Sequence, residues 1–458
     1  MKNRFSLVQV LSVTLALYCG TVYATDEPPV EWIDSDTGHR VVRLSREPES
    51  LSLYFHQYPF SADGKQMVFT TPNGLSSVNL ETREIKTLVT DPVLALVTGR
   101  KTGDVYYILD GAVHAVSLAT HKSRKVADLP QQYRWPEELE NRSRAEPRPS
   151  TNADPAAARL ADDRLKEARR RNRGWGNVTV NADETMLVGI GHDPEGQAKP
   201  RQAPDGEPEG GRLGPTWSAG LARVMFTIDT ATGETKVIHR SNDWLNHLQC
   251  SPTDPGQILF CHEGPWHYVD RTWIIRTDGT GLTQVHPRAI DMEIGGHEFF
   301  SNDGKTVWYD LQTPRSMVFW LAGYDIATGK RTWYHVERNQ WSVHYNISPD
   351  GKIFSGDGGG PSSVANLSPN FDELDTPSNG QWMYKFQPEL IERTGLPEQA
   401  AKQVKTGFFR AEKLASLAKH DYTLEPNGIF TPDGKWLVFR SNMHGAGHVY
   451  MVELAKAE

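Results

Sequence analysis

Ile347-Ser348-Pro349-Asp350-Gly351-Lys352 and Phe430-Thr431-Pro432-Asp433-Gly434-Lys435 decide the fold. Each is an apolar strand end, a Ser/Thr-x-Asp-Gly-Lys turn, and then another apolar run. Phe60-Ser61-Ala62-Asp63-Gly64-Lys65 and Phe300-Ser301-Asn302-Asp303-Gly304-Lys305 repeat the pattern. Degenerate copies lie near Thr98 to Leu109, Val180 to Ile190 and Cys250 to Phe260, which makes seven. Between copies runs a second hairpin, as in Tyr324-Asp325-Ile326-Ala327-Thr328-Gly329-Lys330. Two hairpins make a four-stranded sheet, and seven such sheets around an axis predict an all-β, seven-bladed β-propeller with helical and loop insertions. No linker divides the copies, which argues against a string of separate sandwiches. The last copy runs close to residue 458, so Glu31 to Leu44 is expected to supply the missing strand and close the ring.

Composition agrees with a single domain over residues 25–458. Gly (39) and Pro (29) are plentiful and mean hydropathy is -0.54, which excludes a multi-span membrane protein. The net charge of -8 offers no global basic field to attract nucleic acid. Met1 to Ala24 reads as a secretory signal, with Lys2 and Arg4, a short apolar run, and Val22-Tyr23-Ala24 for cleavage. The apolar run is too short for a convincing transmembrane helix. Tyr18 is a poor fit to the lipoprotein alternative that Cys19 raises. A periplasmic or secreted location is expected. Cys250 and Cys261 are left either as a disulfide or as two buried thiols.

Uneven spacing of the copies places insertions at about 131–175, 195–214 and 361–420. The first is expected to hold a helix from Ala156, carrying seven basic side chains between Arg159 and Arg173. Such a run is more often a solvated face than a binding surface. Helical patterns are also expected at Leu390 to Arg393 and Ala400 to Leu417.

Histidine carries the chemistry. The first strand of a propeller blade lines the central channel, so equivalent positions ahead of successive turns converge in space. His247, His297, His344 and the pair Glu425/Asn427 share that phase in four copies. A ring of imidazole and oxygen donors suits a metal or an anionic sugar better than an apolar core.

These residues resemble a known family. Trp244-Leu245-Asn246-His247, Cys261-His262-Glu263-Gly264-Pro265, His297-Glu298-Phe299, and His344 with Gly356-Asp357-Gly358 are similar to the oligogalacturonate lyases. The similarity is densest from about Arg223 to Gly358. It implies a seven-bladed propeller that cleaves an acidic oligosaccharide by β-elimination, with His247 as base and Arg223 assisting. It also implies a divalent ion, Mn²⁺ in that family, held by His297 and by a Gln-x-x-His-x-His stretch. Here that stretch is Tyr422-Thr423-Leu424-Glu425-Pro426-Asn427, so Glu425 and Asn427 stand where the two histidines would be. Oxygen donors suit Mn²⁺, Mg²⁺ or Ca²⁺ better than zinc.

The remaining expectations concern the substrate. The C5 proton of a 4-linked uronate becomes removable when a cation neutralises the adjoining carboxylate. A neutral imidazole can then take it. His262, Arg271, Trp244, His344 and Tyr345 are expected to contact the sugar, with Trp266 and Trp341 as further stacking surfaces and His344 as an extra ligand. Tyr345 and Tyr268 are candidates for protonating the leaving oxygen. Two alternatives stay open: a lyase for another uronate polymer such as ulvan, and a non-catalytic periplasmic propeller that binds glycan or protein.

Overall fold

The structure, a computed structural model, describes residues 28–136, 139, 159, 163–164, 166–168, 170–172, 174–175, 177–202, 213–360, 381–392 and 403–457. Residues 1–24 and large parts of the three expected insertions lie outside them.

Seven four-stranded antiparallel units follow one another along the chain. Blade 1 is Leu51–Ser52, Gln66–Thr71, Gly74–Asn79 and Ile85–Val89; blade 2 is Leu94–Thr98, Val105–Leu109, Ala112–Val116 and Ser123–Asp128. Blade 3 is Val178–Val180, Met186–His192, Arg223–Asp229 and Thr235–Ser241; blade 4 is Trp244–Cys250, Gln257–Glu263, Thr272–Arg276 and Thr283–Gln284. Blade 5 is Ile294–Phe300, Thr306–Gln312, Phe319–Asp325 and Arg331–Val336; blade 6 is Tyr345–Ile347, Phe354–Gly356, Trp382–Leu390 and Lys405–Ser416. Blade 7 takes Ile429–Phe430, Trp436–His444 and Ala446–Lys456 from the end of the chain and His39–Arg43 from its beginning, with Glu31–Ile33 added outside. The expected closure by the early segment is thus the arrangement found, Val42 pairing with Met451 and Val41 with Val452.

The recurrent turn has a physical reason. In blade 1 the Ser61 hydroxyl donates to Asp63 (2.6 Å), and Asp63 accepts the Lys65 N–H (3.0 Å). Ser61 Oγ in turn accepts the Gln66 N–H (3.0 Å), and Gly64 adopts φ +70°. Blades 5, 6 and 7 repeat the hydroxyl-to-aspartate bond at Ser301, Ser348 and Thr431. Ser/Thr, Asp and Gly are therefore each needed for one bond or one backbone angle.

Seven hydrophobic clusters fill the seven gaps between neighbouring blades. The one between blades 7 and 1 joins Val42, Val438 and Met451 to Phe60, Met67 and Phe69, so the ring is closed by a core as well as by a strand.

Two expectations need correction. The stretch expected to be helical from Ala400 to Leu417 is, where described, the strand Lys405–Ser416. It pairs antiparallel with Trp382–Leu390 and parallel with Arg331–Val336 of blade 5. Ladder pairing on both sides overrides its helix-favouring Ala, Lys and Leu content. The other expected helical pattern, Leu390 to Arg393, begins at the last residue of a strand and is not helical where described. Residues 382–416 thus include the outer half of blade 6, and blades 5 and 6 merge into one eight-stranded sheet. The basic run does hold helical residues, among them Arg170 and Arg171. Arg171 is ion-paired with Asp110 (2.7 Å) and Asp91 (2.8 Å), so it anchors the helix to blades 1 and 2.

Candidate active site

The inner strands of blades 4 and 5 each break register where a histidine sits, between Asn246 and Gln249 and between Gly296 and Phe299. His247 has φ +48°, His297 +43°, and Asn427, at the same phase of blade 7, +54°. Left-handed backbone at non-glycine residues costs energy, and a bulge releases a side chain from the strand's alternation. Here the bulges bring both imidazoles together on the axis, ring centroids 6.2 Å apart. His344 of blade 6 lies 4.8 Å from His297 by the same measure. The phase argument from sequence therefore holds for these three histidines.

His247 belongs to a charged network. Its Nδ1 lies 3.3 Å from Glu298 Oε1 and its Nε2 3.8 Å from Glu263 Oε2. Arg271 donates to Glu263 (2.6 Å), reaches Glu298 (3.4 Å), and sits 3.4 Å from His247 Nδ1. Burial alone would raise both carboxyls. The Arg271 charge, with help from His247, outweighs it and holds both below the ordinary range. Glu298 and Arg271 thus both stand beside Nδ1, and Nε2 faces only the more distant Glu263. Arg271 was expected to bind substrate, but its side chain is 3% exposed and committed to two carboxylates. It supports the base and does not face a sugar.

A second network surrounds His297 and His344. His297 Nδ1 meets Asp310 (3.0 Å), and its Nε2 has no hydrogen-bond partner among the described residues. His344 Nδ1 meets Asp357 (2.7 Å), with both side chains fully buried. Its Nε2 meets the Tyr54 hydroxyl at 3.0 Å and lies 3.7 Å from Glu425. His344 is thus screened from a sugar by Tyr54, contrary to the expected contact. Asn427, expected as a ligand, spends its amide on backbone: Oδ1 accepts the Phe55 N–H (3.1 Å) and Nδ2 donates to the Glu425 carbonyl (3.0 Å). It pins the Glu425 loop to blade 1.

Other expected residues divide. Arg223 is buried, and its guanidinium donates to the Leu221 carbonyl (2.9 Å) and lies over Trp135 (5.1 Å). It reaches the Asp243 carbonyl (3.5 Å), at the entry to the strand that carries His247. Burial brings its pKa down to about 10 against the opposing charge of Asp243, with a smaller push from Arg201, and no carboxylate forms an ion pair with it among the described residues. His262 stacks on Trp273 (4.9 Å) near Asp243, and burial pushes its pKa down to about 4, so it is a neutral imidazole at this rim. Trp244, half-buried, opens the same strand. Tyr345 and Trp341 are core residues at 0% and 2% exposure, Tyr345 accepting the Ser342 N–H, so neither meets substrate. Tyr268 packs on Trp217 (5.4 Å) and His267 (4.0 Å). Trp266 stands edge-on to His297 (5.6 Å).

Sequence reading missed Tyr54 and His56. Tyr54 sits edge-on to His247 (5.7 Å) and His344 (5.2 Å), and His56 lies 5.9 Å from His247. Burial, with His247 beside it, takes the His56 pKa down to about 3. The run Tyr54-Phe55-His56-Gln57 precedes the first repeat turn as the other site residues precede theirs, and that was the available signal. Below this layer the channel continues as a cavity of about 240 Å³, where Arg100 lies over Tyr58.

Two donor sets could hold a metal. His247, Cys261 and Glu298 have ligand atoms within 4.8 Å of one another. The Arg271 cation occupies that corner, however, and burial pushes the Cys261 thiol well up, so it stays protonated. His297 and Glu425 fit better. The imidazole has its Nδ1 fixed by a carboxylate and its Nε2 unengaged, the usual posture of a ligating histidine. The Glu425 carboxylate is 49% exposed and kept ionised against burial by His344, Arg440 and His297. One imidazole nitrogen and one half-exposed carboxylate oxygen suit a divalent cation.

The family model for oligogalacturonate lyases matches residues 158–457. The chain belongs to the oligogalacturonate lyase family. Lyases of this name from Pectobacterium atrosepticum and Dickeya dadantii are each 26% identical over 299 residues, covering 61% of this chain and 66% of theirs, just under two thirds of their length. An oligogalacturonate lyase solved in complex with manganese superposes with a TM-score of 0.65 at 22% identity, covering 93% of this chain and 96% of that one. One from Vibrio parahaemolyticus gives 0.65 at 20% identity, with the same coverage. These likenesses extend the family fold over the N-terminal blades that the family model does not reach.

Proposed function

We propose that the protein cleaves 4-linked uronate oligosaccharides, oligogalacturonate first among them, by β-elimination to a 4,5-unsaturated product. One observation carries this reading: the His247 imidazole, flanked by the Glu298 carboxylate, stands 6.2 Å ring to ring from His297, whose Nε2 is unengaged among the described residues. The named relatives are lyases of such oligomers. A divalent cation at His297 and Glu425 would supply positive charge to the uronate carboxylate and so acidify the neighbouring C5 proton. Arg223, buried and without an ion-paired carboxylate among the described residues, lends its positive charge from beneath the rim, where it reaches the Asp243 carbonyl at the entry to the His247 strand. His247 Nε2 then takes the C5 proton while Glu298 stands beside Nδ1. His262 and Trp244 shape the rim beside Arg223. The expected leader at residues 1–24 would send the enzyme to the periplasm or outside the cell.

The test is ultraviolet absorbance of the conjugated product from oligogalacturonate and from ulvan-type uronate oligomers. The wild type should generate absorbance on one of them, and His247→Ala should lose at least about 100-fold. Full activity in that variant, or no absorbance on any uronate, would remove the reading in favour of a glycan-binding propeller.

A further inference from the structure

We infer that Tyr54 is the acid that protonates the departing C4 oxygen, held for that task by the buried His344–Asp357 pair. The inference rests on the lyase reading and adds the half of the reaction that His247 does not perform.

Asp357 is saturated as an acceptor. Its Oδ1 takes the N–H groups of His344 (2.9 Å) and Val343 (3.1 Å), and its Oδ2 takes the Asn427 N–H (3.2 Å) and faces His344 Nδ1 (2.7 Å). With backbone N–H groups around both carboxylate oxygens, His344 Nδ1 is placed as a donor to Asp357 and Nε2 as the acceptor facing Tyr54. That acceptor fixes the Tyr54 hydroxyl at 3.0 Å. His344 and Asp357 are fully buried, whereas Tyr54 is half-buried, so Tyr54 is the member of the chain that meets the pocket.

Its protonation state suits the role. Burial, and then the charges of Glu425, Glu263 and Glu298, push the phenol well above its ordinary range against the opposing pull of Arg271. It therefore stays a phenol, able to donate and unable to act as base. Its ring lies 5.7 Å from that of His247. C4 and C5 are adjacent atoms, so acid and base must lie within one sugar ring of each other, and this pair does. Tyr345 is sealed in the core, and Tyr268 packs on Trp217 and His267.

The step balances without a co-reactant. His247 Nε2 takes the C5 proton, and the C–H electrons become the C4–C5 double bond. The C4–O bond breaks with its electron pair going to O4. Rotation of the Tyr54 hydroxyl swings its proton from His344 to O4. The phenolate regains a proton from water, and the imidazolium returns one.

A leaving group that needs no proton separates an acid from a packing residue. Tyr54→Phe is assayed on oligogalacturonate and on a synthetic uronate with a nitrophenoxy group at C4, beside thermal melting and calorimetric titration with Mn²⁺. The expected result is a kcat loss of about 10²–10⁴ on the oligomer, KM within a few-fold, and less than about 10-fold loss on the aryl substrate. His344→Gln, which keeps the phenol but loosens it, should fall between wild type and Tyr54→Phe on the oligomer alone. Equal losses on both substrates, or less than about 5-fold loss on the oligomer, would overturn the acid role. Weakened Mn²⁺ binding in Tyr54→Phe would also overturn it, by placing the residue in the metal site. No unsaturated product from wild type on either substrate would overturn the lyase reading together with this one.

Discussion

Replacing Arg271 with methionine keeps most of the side-chain volume and removes a charge that two buried carboxylates depend on. Glu263 and Glu298 are at 7% and 0% side-chain exposure, 2.6 and 3.4 Å from the guanidinium. Removing one partner of a buried ion pair costs about 3–5 kcal/mol, because the remaining charge has neither water nor a counter-ion. With an unfolding entropy that scales with length, this corresponds to a fall in Tm of roughly 3–5 °C. The sign of its pH dependence follows from the same geometry. In the wild type both carboxyls titrate below their free value of 4.5, so their contribution is present above that pH and fades as pH drops through the folded values. In Arg271→Met, burial is left as the largest influence and the folded values rise. The variant then binds protons more tightly folded than unfolded, and its deficit grows as pH rises. Melting curves of both proteins from pH 5 to pH 8, in chelator, should show the gap widening toward pH 8. A gap constant across that range, or below about 1 °C throughout, would refute the charge argument.

Calorimetric titration with Mn²⁺ should find binding in the wild type, at least about 10-fold weaker binding in His297→Ala and Glu425→Gln, and a smaller loss in Asn427→Gly, since the Asn427 amide holds the Glu425 backbone and not the ion. Cys250 and Cys261 stand as free thiols, so a thiol-specific reagent after denaturation should label both without prior reduction. Deleting residues 28–43 strips the strand that pairs with Ala446–Lys456 and takes away Val41 and Val42, which uncovers their buried partners Val452 and Met451. The truncated chain should melt at least about 5 °C lower, or fail to accumulate as a folded protein; melting at the wild-type temperature would argue against that closure.

The fold was legible because the repeat turn is local chemistry: Ser61, Asp63 and Gly64 each answer to atoms within five residues. The outer strands of blade 6 were not legible in the same way. Lys405 to Ser416 has helix-favouring composition, and its strand state depends on partners at Trp382–Leu390 and Arg331–Val336. The site shows the same division. His247 and His297 follow from phase within the repeat. Whether an ionisable side chain faces sugar or protein depends on neighbours, and here sequence misled. Arg271 reads as a substrate cation until Glu263 and Glu298 are seen around it, and His344 reads as a ligand until Tyr54 covers it. Tyr54 lies in the first copy, almost 200 residues before His247, and only closure of the ring brings the two together.

That closure has a consequence for how the molecule is made. The strand His39–Arg43 is synthesised about 400 residues ahead of its partner Ala446–Lys456. Throughout that interval its two valines have no sheet to join. Contacts this distant in sequence form late and slowly, and an unpaired apolar strand is an adhesive edge meanwhile. A protein latched in this way gains its last blade, its seal and the seating of Tyr54 beside His344 in one concluding event. Nascent chains arrested before residue 446 should therefore lack the assembled pocket even though blades 2 to 5 are complete.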